Sequence, residues 1–186
     1  MMVKPFEIAR CRIHPEELEL SADKAFGSGA HPTTQLCIDM LHRYLKPGDQ
    51  FLDVGTGTGI LMIIAARLGA ATVIGFDRYL TIAEVARTNL AANKITPNQG
   101  IVFVANSPAP MRCRVDIAAV NILPGVILSQ LSELSVVLRP GGLLLCAGVL
   151  QGNTHRVEVG LAEVGFKVVY KDRRDLWVGI AAKRRE

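Results

Sequence analysis

A strand-to-helix junction near residue 55 limits the possible folds of this chain most strongly. Residues 50–54, QFLDV, form an apolar run typical of a buried strand, and residues 59–69, GILMIIAARLG, continue with a helical pattern. Between the two runs lie Gly55, Gly57 and Gly59, one glycine at every second position. This arrangement predicts the first strand, turn and helix of an open α/β sheet.

Apolar strand patterns and helical patterns alternate through the rest of the chain. We expect further strands at 72–76, 101–105, 116–122, 143–150, 166–171 and 176–183, and further helices at 80–93, 126–138 and 155–165. Apolar strands between helices indicate a mostly parallel, Rossmann-like sheet with helices on both faces. Only the charged link DRRD, residues 172–175, separates the last two strands, so we expect an antiparallel hairpin at the end.

Length and composition favour one globular domain. The chain has 186 residues, 49% of them hydrophobic, and a net charge of +4. We expect a single domain over residues 1–186, with residues 1–24 as a lead-in strand. No apolar run approaches the roughly 18 residues of a membrane span, and the N-terminus lacks a secretory pattern, so we expect a cytoplasmic protein without membrane contact. The four scattered cysteines and the absence of a histidine pair with helical spacing predict no metal site.

The spacing of the three glycines discriminates between cofactors. Glycines allow positive φ and let a ligand approach the backbone, whereas a tight turn without a ligand is the alternative. A dinucleotide fingerprint, G-x-G-x-x-G, would need a glycine where Ile60 or Met62 stands. The pattern is instead D-x-G-x-G-x-G, starting at Asp53. A carboxylate at Asp53 suits a cationic ligand and would repel a pyrophosphate.

Polar residues after the second and third predicted strands indicate a nucleoside ligand. Asp77 ends the second strand, where a carboxylate can accept hydrogen bonds from both ribose hydroxyls. The alternative is that Asp77 caps the helix beginning near Leu80. Asn106 and Ser107 follow the third strand, where this type of fold usually contacts adenine. Ordinary loop residues are the alternative for these two.

Three further segments carry a resemblance to a known family. They are AFGSGAHPTTQLCIDML (25–41), VNILPG (120–125) and DLWVGI (175–180). In this order around the glycine motif, they resemble the PrmA family, the bacterial methyltransferases of large-subunit ribosomal protein L11. The resemblance covers the chain from about Ala25 to its end. It implies a class I methyltransferase fold, S-adenosylmethionine as the cofactor and an amino group of a ribosomal protein, such as a lysine, as the methyl acceptor.

The resemblance also implies cofactor contacts at four positions, which are Thr34, Gly55, Asp77 and Asn121. Thr34 lies at the start of a predicted helix, where its hydroxyl can bind a ligand carboxylate or cap the helix. Asn121 ends the fourth strand, and its carboxamide can accept a hydrogen bond from an amine, so it is the predicted catalytic residue. A buried turn residue is the alternative. We interpret His31 as a turn residue and Trp177 as either a pocket wall or a core residue.

The chain departs from the family pattern in ways that leave the acceptor open. DRYL, residues 77–80, stands where the family has D-x-D-P, and Pro124 replaces a small residue. The separate N-terminal domain with which the family recognises its ribosomal protein is not expected here. A small molecule or an RNA base is therefore an alternative acceptor. A cofactor-binding module without turnover is the alternative from another functional class.

Overall fold

The computed structural model describes residues 18–21 and 29–186. Five α-helices occur in this part of the chain: α1 Pro32–Tyr44, α2 Ile60–Arg67, α3 Leu80–Ala92, α4 Pro124–Val137 and α5 Thr154–Glu163. The same part contains seven strands: β1 Gln50–Val54, β2 Thr72–Asp77, β3 Gly100–Val104, β4 Val115–Asn121, β5 Leu138–Leu150, β6 Phe166–Arg174 and β7 Trp177–Arg184.

All seven strands form one sheet in the order β3-β2-β1-β4-β5-β7-β6. Strands β1 to β5 are parallel to one another, whereas β7 is antiparallel to both of its neighbours, β5 and β6. This confirms the predicted mostly parallel sheet with a C-terminal hairpin. The strand order reverses between β1 and β4, so the loops after these two strands diverge and leave a crevice at the carboxyl edge of the sheet.

The sheet separates two apolar clusters. Phe51 packs in one cluster with Met62 of α2, and Leu52 packs in the other with Ile127 of α4. Consecutive strand residues point to opposite faces, so one apolar strand contributes to both clusters. The α/β layering thus follows from strands that are apolar on both sides.

Two boundaries at the β4–β5 connection differ from the prediction. Helix α4 begins at Pro124, two residues before the predicted start, because proline is well suited to the first turn of a helix. Strand β5 begins at Leu138 rather than at residue 143, because Leu138 pairs with Val115 across the sheet. A register shift between Val115 and Ile117 accommodates the intervening residues.

The final hairpin is tighter than predicted. Strand β6 continues to Arg174, so the interpretation of residues 172–175 as a connecting link is wrong. The turn consists of Asp175 and Leu176, and Asp175 has a φ of 53°. A two-residue hairpin turn requires positive φ, which aspartate tolerates better than most residues.

A short segment before α1 is attached to α3 by two asparagines. Ser21 exchanges two hydrogen bonds with the side chain of Asn89, at 2.9 and 3.1 Å, and Glu19 does the same with Asn93, at 3.4 and 2.8 Å. Residues 18–21 form no strand, and the rest of the predicted lead-in, like residues 25–28 of the family segment, lies outside the described residues. Among the helices described, none has the length and apolar character needed to span a bilayer.

Candidate functional site

A cavity of about 460 Å³ opens at the carboxyl edge of the sheet, at the reversal of strand order. The predicted site residues on its wall are Gly55, Gly57, Asp77, Asn106 and Asn121. They come from the ends of four different strands, and parallel strands bring these ends to one edge. The apolar part of the wall is supplied by residues such as Phe76, Ile82 and Val126.

Two of the three glycines face the cavity, and the third has a packing role. Gly55 and Gly57 have φ values of 71° and 54°, and both line the cavity. Gly59 also has positive φ, 80°, but it is absent from the cavity wall. A Cβ on Gly59 would lie 2.9 Å from Cδ1 of Leu90, so this glycine allows α2 to begin close against α3. Gly59 thus packs against α3, and the ligand contact at Gly59 stays a prediction.

Asp77 lines the cavity, and two backbone N–H groups hold its carboxylate. Its Oδ2 accepts a hydrogen bond from the Gly57 N–H at 3.3 Å, and its Oδ1 accepts one from the Tyr79 N–H at 3.2 Å. The alternative of a helix cap is wrong, because Tyr79 is the N-cap of α3 and no side chain caps this helix. Two carboxylate oxygens offer about four acceptor positions, so Asp77 keeps capacity for further donors.

Asp53 lies beneath the glycine turn and does not line the cavity. Its side chain is 2% exposed, and its Oδ2 accepts a hydrogen bond from the Thr56 hydroxyl at 2.8 Å. Burial raises the pKa of Asp53 to about 7, the negative charge of Asp77 adds to this shift, and the Thr56 hydrogen bond opposes it. In the structure Asp53 supports the glycine turn from the sheet side, and its contact with a cationic ligand stays a prediction.

The start of α1 is tied to the end of β4. Asn121 donates a hydrogen bond from Nδ2 to Oγ1 of Thr34 at 3.3 Å. Thr34 is 1% exposed and does not line the cavity itself. Nor does it cap α1: the N-cap is His31, whose Nδ1 accepts a hydrogen bond from the Thr33 N–H. The His31 ring also contacts Trp177 edge to face, with centroids 5.3 Å apart, which brings the hairpin to this side of the site.

One cavity residue had not been singled out from the sequence. Gln130 of α4 is 6% exposed, lines the cavity and donates from Nε2 to the backbone oxygen of Asn106 at 3.0 Å. Its neighbours on the helix, Ile127 and Leu131, belong to the core. The sequence did contain a signal for Gln130: it follows the core position Ile127 by three residues, and residues three apart share a helix face.

The DRYL departure from the family pattern changes the cavity rim. Arg78 and Tyr79 both line the cavity, and the Arg78 guanidinium lies 4.6 Å from the centre of the Tyr79 ring. Leu123 also lines the cavity and is 71% exposed. In residues 18–21 and 29–186, no group of three or more His, Cys, Asp or Glu side chains could hold a metal ion.

The sheet order, the glycine turn and the carboxylate at the end of β2 define the class I methyltransferase fold. A crystal structure described as ribosomal protein L11 methylase from Lactobacillus delbrueckii subsp. bulgaricus has a TM-score of 0.85 with this chain, at 30% identity over 91% of this chain and 86% of that one. The sequence model of the family "Ribosomal protein L11 methyltransferase (PrmA)" matches residues 2–185, and the chain belongs to this family.

Curated relatives agree with this assignment. A ribosomal protein L11 methyltransferase from Desulfosudis oleivorans is 39% identical over 90% of this chain and 56% of its own length. One from Listeria monocytogenes is 36% identical over 90% of this chain and 53% of its own length. The chain thus spans about half the length of these relatives. The Thermus thermophilus 16S rRNA N2 G1207 methyltransferase, solved with AdoMet and guanosine, shares the fold, with a TM-score of 0.72 at 23% identity over 87% of this chain and 45% of that one.

Proposed function

We propose that this chain is an S-adenosylmethionine-dependent methyltransferase that acts on an amino group of a ribosomal protein. Family membership supports the reaction class and the acceptor. The observation that carries the proposal is the position of Asn121, which ends β4 on the wall of the same cavity as Gly55, Gly57 and Asp77. One cavity can therefore hold both a nucleoside cofactor and the atom that receives its methyl group.

The residues on the cavity wall fit the proposed cofactor. The positive-φ backbone at Gly55 and Gly57 lets a ligand approach the chain where a Cβ would intervene. The Asp77 carboxylate would accept hydrogen bonds from the ribose hydroxyls, and Asn106 would lie beside the base. Thr34 would contribute indirectly, because its hydroxyl accepts a hydrogen bond from the Asn121 carboxamide and holds that group in place beside the cofactor.

The bound cofactor supplies an electrophilic methyl group, and the chain's residues align the acceptor with it. The acceptor nitrogen must first be neutral, which for a lysine with a pKa near 10.4 costs roughly 4–5 kcal/mol at pH 7. Leu123 and Val126 line the same cavity as Asn121, and their apolar side chains would disfavour the ammonium form. Asn121 would orient the neutral amine as a hydrogen-bond acceptor through Oδ1. Held this way by Asn121, the nitrogen lone pair would face the methyl group that the cofactor would supply, and the methylated ammonium would then release a proton to solvent.

The proposal is tested by following a radiolabelled methyl group. The chain is incubated with methyl-labelled S-adenosylmethionine and, separately, with purified ribosomal protein L11, ribosomal RNA and the small-molecule fraction of a cell extract. We expect label in the protein, released as methylated lysine or amino terminus after hydrolysis. Label in RNA or in small molecules would support methyltransferase activity but contradict a ribosomal protein as the acceptor. No transfer to any fraction would contradict the proposed activity.

A further inference from the structure

We propose that Gln130 selects the base of the bound cofactor: its Oε1 accepts a hydrogen bond from the 6-amino group of adenine and discriminates against a 6-oxo purine. This inference rests on the proposed function, because it assigns a residue to the nucleoside part of the same cavity. It names Gln130 as a specificity-determining residue for the cofactor.

The orientation of the Gln130 carboxamide follows from its contact with the β3 loop. Nε2 lies 3.0 Å from the backbone oxygen of Asn106, and a carbonyl oxygen can only accept. If the amide were turned by 180°, Oε1 would face the Asn106 oxygen, and two acceptors cannot form a hydrogen bond. The nitrogen is therefore held by Asn106, and the oxygen is the end that remains for a ligand.

Gln130 Oε1 is a buried acceptor that has no hydrogen-bond partner among the described residues. Buried polar groups are bonded in the great majority of cases, and leaving one unsatisfied is costly. The side chain is 6% exposed and lines the cavity, so a ligand in the cavity lies beside the residue and a small shift of the carboxamide would bring Oε1 into contact with it. A donor on the ligand would remove the cost.

The sheet order places Gln130 at the base end of the cavity. Asp77, the expected ribose contact, ends β2, and β2 lies between β3 on one side and β1 and β4 on the other. The transfer point at Asn121 is on the β4 side, so the base belongs on the β3 side, where Asn106 holds Gln130. Phe76 and Ile82 supply apolar surface on this wall for a planar ring. The 6-amino group is the only N–H donor of adenine in a nucleoside, which makes it the matching partner.

The test compares two ligands that differ at one position of the base. Dissociation constants of S-adenosylhomocysteine and of its 6-oxo analogue, S-inosylhomocysteine, are measured by calorimetry. We expect the unmodified chain to prefer the adenosyl ligand by about tenfold or more, because the 6-oxo group would face Oε1 as a second acceptor. In Gln130→Leu, adenosyl affinity should fall, inosyl affinity should stay or rise, and the preference should approach unity.

Gln99→Leu is the matched control. Gln99 also donates from Nε2 to a backbone oxygen, that of Ala70 at 3.4 Å. It directly precedes β3 and so lies at the amino ends of the strands, away from the cavity at their carboxyl ends. This variant should keep the full adenosyl preference. If Gln130→Leu does not fold, as judged by circular dichroism, Gln130→Met keeps the length of the side chain without an acceptor and should show the same loss of preference.

The outcomes separate this inference from the proposed function. If S-adenosylhomocysteine binds but the preference is absent in the unmodified chain, or is unchanged in both Gln130 variants, the role of Gln130 is overturned and the methyltransferase proposal stands. If a folded chain binds neither S-adenosylhomocysteine nor S-adenosylmethionine, both are overturned. A preference that disappears only in the Gln130 variants supports the inference.

Discussion

Asp53 and Asp77 show how position separates two carboxylates that flank one glycine turn. Asp77 ends a strand at the cavity, where backbone N–H groups hold it, whereas Asp53 is covered and bonded to Thr56. The position of Asp77 at the cavity could be predicted from its place after an apolar strand. The burial of Asp53 could not, because it depends on how α1 and α2 cover β1. Gln130 was missed for the same reason, since its partner Asn106 is distant in sequence.

The pKa of Asp53 predicts a pH dependence of stability. The folded-state pKa of about 7 lies above the ordinary value of 3.8, so the folded chain retains a proton that the unfolded chain loses between these values. The contribution of Asp53 to the free energy of unfolding therefore declines as pH rises through this window and is constant above it. An asparagine side chain does not ionise, so the free energy of unfolding of Asp53→Asn lacks this decline.

Urea denaturation of both proteins measures this effect. Between about pH 5 and pH 8 the free energy of unfolding of Asp53→Asn should gain about 2–3 kcal/mol relative to the unmodified chain. The comparison cancels the other carboxylates, which are common to both proteins. Parallel stability curves would contradict an Asp53 carboxyl that is neutral at low pH and forced to ionise near neutrality.

Asn121→Ala should separate catalysis from cofactor binding. We expect kcat to fall on the order of a hundredfold, because an acceptor amine that loses its hydrogen-bond partner is misaligned. Cofactor affinity should fall much less, since Gly55, Gly57 and Asp77 remain. The measurements are kcat with the acceptor found by labelling and the dissociation constant of S-adenosylmethionine. Asn98→Ala, an exposed change before β3, is the control, and unchanged turnover in Asn121→Ala would remove Asn121 from the mechanism.

At the scale of elements, the order and type of helices and strands followed from local patterns, and their ends did not. The start of β5 depends on the pairing of Leu138 with Val115, and the length of β6 depends on its pairing with β7. These pairings join residues on different strands, so they cannot be inferred from a short stretch of sequence around either residue. Boundaries set by local chemistry, such as the end of α2 before Gly69, were close to prediction.

The glycine turn predicts a difference between substitutions at two glycines that both have positive φ. Gly57 and Gly48 both have positive φ, 54° and 92°, but only Gly57 lines the cavity. Valine at either position should destabilise the fold, because a β-branched residue resists positive φ. Only Gly57→Val should also abolish cofactor binding, as measured by calorimetry on protein shown to be folded. Normal binding by Gly57→Val would make the turn purely structural.

The attachment of residues 18–21 to α3 depends mainly on one buried side chain. Asn89 is 2% exposed and also donates to the Thr58 oxygen at 2.8 Å, so it connects the segment, α3 and the glycine turn. Asn89→Ala should cost about 1–3 kcal/mol of stability through unpaired backbone groups. Asn93→Ala removes similar but exposed bonds and should cost less than about 1 kcal/mol. Equal losses in chemical denaturation would contradict this ranking.

At the scale of the whole molecule, the fold joins two halves of one site. Strands β1, β2 and β3 supply the wall expected to hold the nucleoside, and α1, β4 and the hairpin meet at Asn121. The location at the carboxyl edge could be predicted from the alternation of strands and helices. The bond between Thr34 and Asn121 could not be derived from local pattern, because it joins residues 87 positions apart. The two segments that resemble the family pointed to these residues but did not indicate that they are in contact.

Cofactor binding is the most direct measurement of the central claim. Calorimetry of the unmodified chain should show binding of S-adenosylmethionine and S-adenosylhomocysteine and no measurable binding of NAD, because the D-x-G-x-G-x-G turn does not provide a pyrophosphate site. Asp77→Ala should weaken the first two by about 1.5–3 kcal/mol, the range for hydrogen bonds to a charged group. Tight binding of NAD with no response to the methyl donor would contradict the account.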